Sequence, residues 1–263
     1  TFGMNLGYNS CTWGAQHIRA NEAQLGFNIP WTVLFLMEEP HCSRHLPQYG
    51  HAVSEGEELG IYSWILLSHG NLLELLPLIE RHPDSAFFLF CRPEDISPAV
   101  LDEITPLRHL MLVVRWGDQA DEACAMLRNA RLPYSVYYPY SPDDLPFIRS
   151  GDLFCDTQQL HPLFTALAAK PDCPAEIQRQ AHQAAEELRN GQNYKTVPWE
   201  LCYDTRSLDE IISDDACCVL FDGQGQLIAL DNPGCAPFGC LFEEGLTSLI
   251  RRAYPKSPPA SSL

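Results

Sequence analysis

The chain has 263 residues, 46% hydrophobic and 19% charged, enough for one large α/β domain whose core needs no disulfides. Its formal net charge of −17 repels nucleic-acid phosphates and anionic lipid, which argues against both as partners and suits a basic peptide or protein. Eleven scattered cysteines do not make the short, evenly paired framework of a secreted domain, so in a reducing cytoplasm they are free thiols, or metal ligands where they cluster.

The N-terminal "TFGMNLGYNS" lacks the basic and apolar regions of a signal peptide. No apolar run approaches the ~20 residues that span a bilayer, so a cytoplasmic protein is expected. "FGMNLGYNS" is compatible with an early strand and "GAQHIRANEAQLG" with its helix. From residue 31 the pattern repeats: an apolar strand-like run, then an amphipathic helix. The strand-like runs are 31–37, 61–69, 85–92, 109–116 and 134–140. Between them lie "YGHAVSEGEELG" ending at Gly60, "NLLELLPLIERH" opened by Asn71, "SPAVLDEITPL" with Ser97 as N-cap and Pro98 at the first helical position, and "DQADEACAMLRNARL". Continuously apolar strands alternating with helices indicate a parallel sheet covered by helices. The expected fold is α/β, a partial (βα) barrel with a small cysteine-rich C-terminal segment.

After Pro142 the chain reads as a connecting region, then a strong helix in "PAEIQRQAHQAAEELRNG", a cysteine-rich stretch from Cys202 to Cys240, a short helix in "EEGLTSLIRRAY", and a disordered tail "PKSPPASSL". The expected organisation is 1–190 for the barrel-like part, 191–254 for the cysteine-rich segment and 255–263 for the tail.

Active groups in such folds gather at the C-terminal ends of the strands, here the polar stretches "MEEPH" (37–41), "SHGN", "CRPED", "RWGD" and "YPYSPDD". Glu38, Glu39, His41 and Cys42 suit zinc or iron chemistry and equally a solvated loop. Cys11, placed between a strand and a helix, is a candidate nucleophile with His17 or His69 as base. R-x-x-D recurs five times, from Arg81, Arg92, Arg115, Arg149 and Arg206, and so carries no weight. No G-x-G-x-x-G, P-loop or G-x-S-x-G is present. Cys91 and Cys124 sit inside apolar patterns and read as core. The stretch "CVLFDGQGQLIALDNPGCAPFGC" reads as a hairpin turning at Asp222 and Gly223, which brings Cys217 or Cys218 towards Cys235. With Cys202 and Cys240, four thiolates are available to a 4Fe–4S cluster or a tetrahedral zinc. The absence of C-x-x-C spacing leaves free thiols as the alternative.

This order of elements resembles radical SAM enzymes of the SPASM or twitch type, the maturases of ribosomal peptides. Their second strand ends in Gly-Gly-Glu-Pro, which contacts the methionyl amine of S-adenosylmethionine; "MEEP" keeps Glu39 and Pro40, and "SHGN" keeps the Gly70 of the next strand's turn. The resemblance implies Glu39, Pro40 and Gly70 as cofactor contacts, and Cys202, Cys218, Cys235 and Cys240 as auxiliary-cluster ligands. The family's catalytic cluster hangs on C-x-x-x-C-x-x-C after the first strand. Here Cys11 is followed by Ala15 and Ile18 at the other two positions, and one thiolate does not hold a SAM-cleaving cluster. The resemblance therefore implies a non-catalytic scaffold that binds a peptide or protein in a peptide-modification pathway, with one auxiliary cluster at most. An active metal- or Fe–S-dependent enzyme at the strand ends, and a Cys11 nucleophile enzyme, are the alternatives.

Overall fold

The computed structural model describes residues 1–37, 41–68, 70, 72–213, 217–229 and 237–256. The five apolar runs are strands β1 (Thr32–Met37), β2 (Ser63–Ser68), β3 (Ala86–Cys91), β4 (Leu110–Arg115) and β5 (Tyr134–Tyr140), followed by β6 (Phe164–Ala169), β7 (Val197–Glu200), β8 (Val219–Phe221) and β9 (Leu227–Ala229). They form one sheet in the order β7-β6-β5-β4-β3-β2-β1-β8-β9. All pairings are parallel except the β8–β9 hairpin. Strands β1 to β7 lie side by side in chain order, as right-handed βα units wind, and the sheet curls into a half-barrel. The expected partial (βα) barrel is what the chain forms.

Alternation along each strand explains why the runs are continuously apolar. Val33, Phe35, Met37, Trp64, Leu66 and Phe87 pack outward against the helices in the main core. Leu34, Ile65, Phe90, Val113 and Ala166 point the other way and form a second cluster on the concave face. Helix His41–Leu59 follows β1, Leu72–Glu80 follows β2, Pro98–Ile104 follows β3 and Ala120–Asn129 follows β4. The Ser97 Oγ accepts from the Val100 N–H at 3.4 Å, the expected N-cap.

Two regions differ from the sequence expectation. The N-terminal stretch is helical, not a strand: Phe2–Met4, a π-helical Asn5–Gly14, then Ala15–Leu25. Its side-chain amides hold it beneath β3, Asn5 donating to the carbonyls of Pro83 (2.7 Å) and Ser85 (2.8 Å), and Asn9 to that of Asp84 (2.8 Å). Phe2 packs with Ala86 and Met111, and Leu6 and Phe88 lean on them, so this segment closes the N-terminal end of the barrel. The supposed connecting region contains β6, "FTALAA", whose small residues carry little strand signal until β5 and β7 pair with it. Strands β7, β8 and β9 come from beyond residue 190 and join the same sheet.

Helix Leu201–Ile212 begins at the C-terminal end of β7 and finishes beside the start of β1, where the Asp209 carboxylate accepts from the Trp31 N–H at 2.5 Å. Its buried positions, Leu201, Asp204, Thr205, Asp209 and Ile212, recur at helical spacing. It thus runs across the open side of the half-barrel. The chain then returns through the β8–β9 hairpin and helix Leu246–Ala253. Pro255 bridges to Phe27, and Lys256 pairs with the buried Glu22 at 3.3 Å, so the first two residues of the expected tail are held. Among the described residues no helix is long and apolar enough to cross a membrane.

Candidate functional site at the mouth of the half-barrel

Parallel strands deliver all their C-terminal ends to one mouth. After β3, the Arg92 guanidinium forks onto Asp95 (Nε to Oδ2 3.2 Å, Nη2 to Oδ1 2.8 Å) while the Arg92 N–H also donates to Asp95 at 3.0 Å. Gly70 lies against this pair at φ +96, where a Cβ would stand 2.6 Å from Arg92 Nη2. Both the backbone and the close approach require glycine. Gly70→Ala is expected to cost roughly 1–3 kcal/mol, read as a lowered urea midpoint; Arg92→Ala in the same chain should recover only the part due to the clash.

After β4, Arg115 is exposed, and its register partner on β5 is Tyr137, half-buried beside Phe90 with ring centroids 5.0 Å apart. Burial, then the neighbouring Cys91, pushes the Tyr137 hydroxyl up to about 12, against the opposite pull of Arg115. After β5, Asp144 accepts from the Ser141 N–H (2.8 Å), the Ser141 hydroxyl (2.7 Å) and the Tyr138 hydroxyl (2.8 Å), with Lys170 at 4.0 Å. Burial raises its pKa, but these partners outweigh it and hold the carboxyl below its ordinary value.

The densest polar centre joins β5, β7 and the helix behind them, and no sequence motif marked it. Glu200 is fully buried; its carboxylate accepts from the Tyr140 hydroxyl at 3.0 Å and caps helix Leu201–Ile212 through the Tyr203 N–H at 2.8 Å. The Glu200 N–H donates to Asp204 at 2.7 Å, and Asp204 takes both Arg189 nitrogens at 2.9 Å, with His182 at 3.5 Å. Burial chiefly lifts the Glu200 pKa to about 7, and Asp204 adds to the rise against the hydrogen bonds. A lone Glu between an apolar tripeptide and a helix, in "VPWELCYD", was the available signal.

The residues singled out from sequence fall in different places. Cys11 lies in the middle of the N-terminal helical stretch, at the closed end of the barrel and not at the C-terminal end of a strand. It is exposed, yet desolvation of the sulfur pushes its thiol pKa up, the opposite of what a nucleophile needs. His17 packs against Trp13, ring centroids 3.9 Å apart, and His69 lies outside the described residues. Glu38, Glu39 and Pro40 also lie outside them, as does the side chain of His41, whose backbone opens helix His41–Leu59. Cys42 is fully buried in the helix-side core. It therefore packs on the helix side of the sheet and not on the concave side.

Of the C-terminal cysteines, Cys202 follows β7 at the start of its helix, its thiol pKa raised by burial and then by Glu200. Cys218 is buried on the concave face just before β8, Cys217 is buried on the other side of the sheet, and Cys240 bridges to Gln226 while its Sγ donates to the Gln224 carbonyl at 3.5 Å. Cys235 lies outside the described residues. Among the described residues no three His, Cys, Asp or Glu side chains gather as a metal site.

No protein-family profile and no curated protein matches the chain. Solved structures do. SuiB from Streptococcus suis bound to S-adenosylmethionine superimposes with a TM-score of 0.57 at 9% identity, covering 89% of this chain and 66% of that one. SuiB bound to precursor peptide SuiA gives 0.56 at 9% over 89% and 67%, and SuiB alone 0.58 at 9% over 89% and 68%. This chain thus spans about two thirds of the length of SuiB. The curled sheet, its chain-ordered parallel strands and these superpositions together show that this chain shares the fold of SuiB.

Proposed function

We propose that this chain is a scaffold of the radical SAM fold that holds a peptide or protein partner on its concave face and does not cleave S-adenosylmethionine. The observation that carries it is the segment after the first strand. Because residues 2–25 are helical, the first strand is β1, and the chain leaves it through "EEPHC". That segment has one thiol, Cys42, sealed in the core on the helix side. The three-thiolate grip that the family's catalytic cluster requires has no counterpart here, so the residues present do not fit that cluster. The likeness to SuiB, which has been seen with a precursor peptide, supports a peptide as the partner.

Among the described residues Cys202, Cys218 and Cys240 stand on separate elements and no three His, Cys, Asp or Glu side chains gather as a metal site, so the reading rests on the peptide-binding face. To test the reading, protein is reconstituted with iron and sulfide without oxygen, then given S-adenosylmethionine and a strong reductant. Expected is no consumption of S-adenosylmethionine above that of a heat-inactivated sample. Multiple-turnover consumption would overturn the proposal.

A further inference from the structure

We infer that the concave face accepts an apolar peptide segment flanked by lysines or arginines, an inference that rests on the peptide-binding reading above. The inward positions towards the mouth, Leu36, Leu67, Tyr137 and Ala168, are only half-buried, although all are apolar or aromatic, and Leu67, Tyr137 and Ala168 pack on the concave-face cluster. Neighbours in this wall are fixed by strand register, Leu36 beside Leu67 and Leu67 beside Phe90. The far end is closed by Phe2 and Leu6 of the N-terminal helical segment, so the wall is open to a partner only from the mouth. Half-buried apolar side chains lining a concavity gain from a partner's apolar side chains.

Charge names what surrounds those apolar side chains. Four described loops at the mouth place an exposed carboxylate there: Glu94 after β3, Asp118 after β4, Asp143 after β5 and Asp172 after β6. Of the cations in these loops, Arg92 pairs with Asp95 and also lies 3.5 Å from Glu94, and Lys170 pairs with Asp144; among the described residues Arg115 is the cation there that no carboxylate neutralises. The turns at the opposite end mix signs, with Arg81, Arg108, Arg131 and Lys195 among carboxylates such as Glu58 and Asp84. The described mouth loops therefore carry more carboxylates than cations, and a cationic segment is steered to them. Carboxylates before helices also suit the helix dipole, so the test reads binding and not charge alone.

Three dye-labelled peptides are titrated against the full chain by fluorescence anisotropy: a Leu-Phe-Val-Leu core with lysines on both flanks, the same core with glutamates, and a Gly-Ser core with lysines. The lysine-flanked apolar peptide should bind about tenfold more tightly than the other two at low salt, with the advantage over the glutamate peptide shrinking at high salt. The Asp118→Asn/Asp143→Asn variant should weaken it several-fold, and Glu58→Gln at the other end should not. Equal binding of lysine and glutamate peptides, equal binding of the Gly-Ser peptide, or an unaffected rim variant each overturns this inference while leaving peptide binding standing. Binding of none of the three overturns this inference and the peptide-binding reading together.

Discussion

Glu200→Gln should make the protein more stable at pH 8 and slightly less stable at pH 5, so that the two stability curves cross. The Glu200 carboxyl titrates near 7 in the folded chain and near its ordinary ~4.3 when unfolded. The folded state therefore binds a proton that the unfolded state has released between those values. Its contribution is fully present below about pH 4.3, declines as pH rises through about 7, and is flat above; the whole step is roughly 4 kcal/mol. Glutamine stays neutral and keeps an oxygen for the Tyr140 hydroxyl, but loses an acceptor for one of the two donors that Glu200 holds, a cost of about 1 kcal/mol. The groups facing Glu200 are Tyr140 from β5, Cys173 from the turn after β6, and Cys202 and Asp204 from its own helix, with Arg189 and His182 around Asp204. Urea denaturation at several pH values reads the effect. Parallel curves for wild type and variant would show that Glu200 is ionised throughout.

Arg189→Ala should be the most destabilising single change at this centre, by about 3 kcal/mol. Arg189 gives both terminal nitrogens to Asp204, one of them also to the Pro198 carbonyl at 2.7 Å, and lies 5.9 Å over the Trp199 ring. Removing it leaves Asp204, buried, facing the Glu200 carboxyl with only the Glu200 N–H and His182 nearby. Arg189→Lys should recover part of the loss, because an ammonium keeps the charge but not the two-pronged fit. Asp204→Asn/Arg189→Ala together should cost less than the sum of the single changes, since the carboxylate left unpaired is gone. Additive losses in thermal unfolding would mean that the pair is not energetically coupled.

Much of the architecture could be read from residues whose local chemistry agrees with the fold. Strands β1 to β5 are buried on both faces, so they appear as unbroken apolar runs, and Ser97 with Pro98 announces its helix. The errors lie where distant partners decide. Asn5 and Asn9 make the N-terminus a helical plug by reaching carbonyls at Pro83, Asp84 and Ser85, a tie that no local pattern shows. Taking that stretch for a strand shifts the strand count by one. Cys42 looks like a ligand beside Glu39 and His41 in sequence, yet the helical turn it occupies carries it into the core. The Glu200 centre assembles only because parallel pairing brings β5, β6 and β7 into line, joining Tyr140, Arg189 and Glu200 from three separate segments.

The central claim, that a partner peptide sits on the concave face, is tested most directly by amide hydrogen exchange of the full chain with and without the lysine-flanked peptide at saturation. Slowed exchange is expected in the mouth segments 92–95, 115–119 and 141–144 and in helix Leu201–Ile212, with the N-terminal helix Ala15–Leu25 unchanged. Protection confined to Ala15–Leu25 or to the outer faces of helices His41–Leu59 and Leu72–Glu80 would contradict it.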